Sequence, residues 1–119
     1  MTEDDFRAIA LGFDGAVEGA HMGHPDFRAN GRIFASLHGN ERTGMVKLTP
    51  GQQVEFLRDE PAMFAPSSGA WGRQGCTNVV LGAGKTAPVR SAMLLAYQGA
   101  VALPRPKARS TAVARKVRG

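Results

Sequence analysis

Three histidines, a single cysteine and one Gly-Lys-Thr triplet are the groups in this sequence whose types could do chemistry. His21, His24, His38 and Cys76 are soft-metal ligand types, but His21 and His24 are three apart on a stretch that reads as extended. An odd separation there sends two rings to opposite sides. No second cysteine supports a zinc site, so no metal is expected. Cys76 as a nucleophile would need a lowered pKa and a positioned base. Arg73 is near in sequence, yet no histidine partner is implied, and Cys76 reads as a buried or half-buried strand residue. Gly82-Ala83-Gly84-Lys85-Thr86 runs from a strand into a helix, as a phosphate-binding loop does. Such a loop needs a small residue five positions before its second glycine, where this chain has Val79. Only two residues separate the strand from Gly84, and no apolar strand ends in an aspartate for magnesium. The segment therefore reads as a turn, with Thr86 as the helix cap. The acid pairs Asp4-Asp5 and Asp59-Glu60 lie at helix ends and read as solvated charges. No catalytic set survives, so neither an enzyme nor a cofactor is expected.

A second constellation is His24, Phe27, Arg28, Arg32, Lys47, Trp71, Arg73 and Gln74. Cations beside aromatics suit phosphate contact with base stacking. They equally suit an anionic small molecule held against an aromatic wall. The competing reading puts Phe27 and Trp71 in the core and leaves the cations as ordinary surface. Trp71 stands among Gly69, Gly72 and Gly75, where packing is loose, and that favours a role for it. His24, before Pro25, reads as a loop residue that holds the turn or lines a pocket.

The elements that must position these residues follow from spacing. Residues 4–11 read as a helix, with Phe6, Ile9, Ala10 and Phe13 on one face. Thr2 and Asp5 form a capping box, and Gly12 and Gly15 end it. A strand is expected over 16–22. Strands over 26–29 and 32–37 flank Asn30-Gly31, the strongest short hairpin signal. In the second of these, Ile33, Ala35 and Leu37 alternate with Phe34, Ser36 and His38. Residues 39–42 form a turn and 44–48 the next strand. Thr49, Pro50 and Gln52 start a helix that puts Val54 and Leu57 toward the core and stops at Pro61. A short extended piece at 63–65 is followed by a Gly-rich loop. A strand over 75–81 and a helix over 86–97 complete the chain, with Val89, Ala92, Met93, Ala96 and Tyr97 as the apolar stripe. The order indicates an α+β domain, an antiparallel sheet packed against helices.

The 119 residues make one domain, residues 1–103, and a tail, 104–119. The tail holds Arg105, Lys107, Arg109, Arg115, Lys116 and Arg118 and no acid, leaving nine basic against ten acidic residues in the remainder. The high isoelectric point therefore belongs to the tail, whose cations serve as a solubilising or weakly attracting arm. The N-terminus is acidic where a secretory signal is basic, and no apolar run is long enough for a bilayer. A cytoplasmic protein, monomeric and without a membrane partner, is expected.

Gly-His-Pro-x-Phe at 23–27, Gly-Arg-Ile-Phe-Ala at 31–35, Val-Lys-Leu at 46–48 and Ala-Trp-Gly-Arg-x-Gly-x-Thr at 70–77 together resemble the MmcQ/YjbR family. The resemblance covers residues 6–97 and rests on the order and spacing of short motifs. It implies a frataxin-like sheet-and-helix fold and a DNA-binding role that rests mainly on fold analogy. On that reading the residues expected at phosphates are Arg28, Lys47 and Arg73, Trp71 stacks, and the tail adds electrostatic affinity. Many members carry an aromatic residue where Cys76 stands, so a stacking contact implied there is missing. Frataxin uses an acidic surface for iron; the acids here are scattered, and that activity is not carried over. The partners expected are DNA, bound weakly and with salt dependence, or an anionic small molecule or protein at a pocket around Trp71.

Overall fold

The computed structural model describes residues 1–104, and the basic arm expected over 105–119 lies outside them. The elements are α1 (Glu3–Leu11), β1 (Val17–His21), β2 (His24–Ala29), β3 (Arg32–His38), β4 (Thr43–Lys47), α2 (Pro50–Asp59), β5 (Phe64–Pro66), α3 (Gly69–Arg73), β6 (Cys76–Val80) and α4 (Thr86–Ala102). The six strands form one antiparallel sheet in the order β1-β2-β3-β4-β6-β5. The fold is α+β, with a core between helices and one face of the sheet.

Local chemistry accounts for most of the ends. Thr2 and Asp5 cap α1 reciprocally, and Thr49 and Gln52 do the same for α2, with Pro50 in its first turn. Asn30 and Gly31 both take positive φ, as a two-residue hairpin requires. Side chains alternate across each strand, so Phe27, Leu37, Val46, Val79 and Phe64 reach the helix side. Each contributes roughly 1.5–3 kcal/mol by leaving water. Phe6 of α1 packs over Gly44, where an added Cβ would lie 2.4 Å from its ring.

The structure departs from the spacing in several places. The alternation expected along β3 breaks at Phe34. Phe27 pairs with Ala35 and Arg28 with Ile33, so Phe34 is an extra residue in the ladder. The bulge sends Phe34 into the core against Phe13 and Tyr97 and leaves Ile33 on the opposite face. Val54 is exposed, and Phe56 with Leu57 packs α2 on the core instead. Thr86 is the first residue of α4, whose cap position is Lys85 without a side-chain bond. α4 itself continues five residues beyond the expected end, to Ala102. Finally, the Gly-rich loop before β6 contains the short helix α3. Gly72 passes so close to Ser67 that an added Cβ would lie 1.8 Å from the Ser67 carbonyl oxygen. The Gln53 amide donates to the carbonyls of Gly72 and Cys76 at 3.0 Å each. Those contacts hold α3 despite its poor helix propensity.

Candidate functional site

The sheet face away from the core carries a polar row. Asp26, Ser36, Met45, Asn78 and Ala65 stand side by side across five strands. Ser36 is buried in the middle of it. Ser67 donates its hydroxyl to the Asn78 side-chain oxygen at 2.7 Å, and Ser36 is 2.9 Å from His38 Nε2. Over this row lies a cavity of about 440 Å³, with Trp71, Lys47, Ser68 and Glu41 among its walls. Ile33, Met45 and Cys76 supply apolar surface. A few polar groups converging on a partly apolar hollow is the usual make-up of a small-ligand site.

Trp71 is 65% exposed while Phe27 is fully buried. Phe27 sits on the helix side with the Phe6 ring at 6.2 Å, so it leaves the candidate set: the core reading holds for Phe27 and fails for Trp71. The reason is the register of β2, which turns odd positions inward and even positions outward.

The histidines are brought together, contrary to the alternation argument. Met22 and Gly23 both take positive φ and form a two-residue hairpin turn, so His21 and His24 become cross-strand partners on one face. The His24 and His38 rings are 4.7 Å apart. Burial pushes His38 below the ordinary histidine value, and the neighbouring His24 and His21 charges add to the shift against Glu41. Among the described residues no group of three His, Cys, Asp or Glu is placed to hold a metal ion.

Asp26 is the buried charge of this face. Its carboxylate accepts from Arg28 Nε at 2.7 Å and Nη2 at 2.9 Å, and lies 2.8 Å from His21 Nδ1. The Arg28 hydrogen bonds hold the Asp26 carboxyl below the usual carboxylate range, outweighing the opposing effect of burial; His21 assists. The same pair raises Arg28. Gly19 on β1 leaves room for it, since an added Cβ would meet Arg28 Nε at 3.2 Å. Burial pushes the Cys76 thiol up, against the smaller pull of Lys47, and keeps it protonated at neutral pH.

The other sequence candidates separate. His24 is not a loop residue but the first residue of β2, half-buried beside His38 and outside the cavity wall, while Lys47 is exposed at the cavity. Arg28 is engaged by Asp26, while Arg32 reaches the Pro104 carbonyl at 3.0 Å. Arg73 and Gln74 are exposed, outside the cavity wall. Ser36, Asn78 and Ser67 are not singled out by spacing as site residues, and His38 is weighed only as a metal ligand. Their signal is polarity inside strand segments, Ser36 between Ala35 and Leu37 and Asn78 before Val79, where a buried strand would be apolar on both sides.

A crystal structure of the Deinococcus radiodurans protein DR2400, with a DUF419 domain, is similar to this chain. It covers 94% of this chain and 96% of that one at a TM-score of 0.67, with 16% identity, a likeness of fold. No family model matches the chain, and no curated protein matches it. Among the described residues no helix is long and apolar enough to cross a membrane.

Proposed function

We propose that this chain is a non-enzymatic binding module of the MmcQ/YjbR type, and that it holds a small planar molecule against Trp71 on the open face of the sheet. One observation carries the reading: an exposed tryptophan walls a cavity of about 440 Å³ whose floor has Ser36, Asn78 and His38 as hydrogen-bonding groups. A ring stacked on Trp71 exchanges apolar surface with water, and the floor fixes its orientation. The family part of the reading rests on the motifs at 23–27, 31–35, 46–48 and 70–77, and on the shared sheet-and-helix fold.

Trp71 is the only tryptophan, so its fluorescence reports on the cavity directly. Titration with a panel of aromatic carboxylates and nucleosides should give saturable quenching by at least one class. The same ligand, followed by NMR, should lose its binding in Trp71→Ala. Unchanged binding in that variant would remove the site.

A nucleic-acid reading has its own support, because Arg73 and Gln74 follow Trp71 in solvent and could meet phosphates beside a stacked base. Fluorescence anisotropy with labelled single- and double-stranded DNA, across a salt titration, separates the two readings. A chain ending at Pro104 that retains binding with a steep salt slope would place phosphates on the folded face. Binding that vanishes with the tail would assign it to the basic arm.

A further inference from the structure

The β3–β4 ladder starts with Ala35 opposite Val46. On the far side of that rung the strands part, because the bulge at Phe34 interrupts β3 and the chain after Lys47 turns into α2. The opening is a second cleft, of about 740 Å³. Arg28, Arg32 and Lys47 line it together with Thr49 and Gln52, and the last turns of α4 form much of the rest. Among the described residues its lining contains no carboxylate. Ile33 and Lys47 belong to both this cleft and the Trp71 cavity.

The donors here are underused. Arg32 spends Nη2 on the Pro104 carbonyl, while its Nε is buried and without a partner among the described residues. Such a group costs free energy until an acceptor arrives. Lys47 has no ion pair among the described residues, unlike Arg7 or Arg58. Arg28 is matched by Asp26 through Nε and Nη2, which leaves Nη1 outside that pair. Thr49 and Gln52 cap α2 with their oxygens, Thr49 Oγ1 accepting from the Gln52 N–H and Gln52 Oε1 from the Thr49 N–H. The hydroxyl hydrogen of Thr49 and the amide hydrogens of Gln52 are not used by the cap.

We propose that this cleft binds a phosphate group, with Arg32 and Lys47 supplying the charge and Thr49 and Gln52 supplying neutral donors. A carboxylate has two oxygens to share among these groups, whereas a phosphate has more and matches the planar fork of an arginine. The site stands on its own cations and does not depend on a ligand at Trp71. The phosphate could be carried by a small molecule or by a nucleic-acid backbone.

The test is a set of ¹⁵N-¹H NMR titrations of the full chain at fixed ionic strength, with inorganic phosphate, a 5′-mononucleotide and a short single-stranded DNA. Saturable shifts around residues 32, 47, 49 and 52 are expected with at least one of these. Arg32→Gln and Lys47→Gln should each weaken binding by about tenfold. Lys85→Gln, which removes an exposed cation elsewhere, should leave it unchanged. Lys47 is exposed, so its variant keeps the test valid if Arg32→Gln disturbs folding. Tight binding by the DNA alone, weakened by the same two substitutions, would identify a phosphodiester as the source. Saturation by inorganic phosphate or the mononucleotide would identify a small phosphorylated molecule. Shifts linear in concentration with all three, or an equal loss in Lys85→Gln, would overturn the proposal.

Discussion

Asp26 and Phe27 are chain neighbours on β2, and they enter opposite sides of the same sheet. Phe27 meets Phe6 and the helices in an interior of hydrocarbon. Asp26 meets His21 and Arg28 on a face that, among the described residues, no long helix covers. Both are fully buried, yet one is held by area removed from water and the other by specific hydrogen bonds. The helix side is therefore sensitive to volume. The open side is sensitive to charge and pH, and its uncovered centre is where a ligand has room.

The largest effect should come from the volume side. Phe27→Ala should cost about 3–5 kcal/mol in a denaturant or thermal melt. Trp71→Ala should stay within about 0.5 kcal/mol of the native chain, because its ring faces solvent. Equal costs would erase the distinction between the two faces.

Next comes Asp26→Asn. It leaves Arg28 and His21 without their anion, but both partners are partly solvated, so the loss should be about 1–2 kcal/mol. The carboxyl is depressed in the folded chain, so its contribution is present above the unfolded aspartate value and is lost as pH falls through the folded one. The native chain should lose stability in acid more steeply than Asp26→Asn. Parallel acid-unfolding curves would show that the pair carries no such linkage.

The smallest effect belongs to His38. Its folded value lies below the ordinary 6.5, so stability is fully present above that pH and declines as pH falls through the lower folded value. His38→Gln should flatten the stability profile just below 6.5 and leave it unchanged at pH 8. A profile identical to that of the native chain would mean the histidine cluster does not feel its own burial.

What could be read in advance was local. The two capping boxes and the Asn30-Gly31 turn each need only four or so adjacent residues, and all three formed as expected. Two expectations that failed depended on pairing and packing beyond those short windows. Phe34 turns inward because β2 pairs across a bulge, and α3 forms because Ser67 and Gln53 hold it. The candidate site was legible in the same proportion. Trp71 stood out by type and Lys47 by charge, but Ser36 and Asn78 became neighbours only through Met45, between two strands more than thirty residues apart. His21 and His24 were misplaced for a simpler reason. Met22-Gly23 lacks the usual turn composition, so the reversal that pairs them was not visible.

The outer strands of the sheet have one more consequence, for how the molecule behaves in company. β5 is three residues long and ends in Pro66, which has no N–H to offer a newcomer. β1 is five residues long, mostly exposed, and paired on one side by β2, with Glu18 tied to Arg7 as its main charged guard. Self-association by strand addition would begin at β1, so a lysine or proline placed along its outer edge is the substitution that would keep a concentrated solution clear.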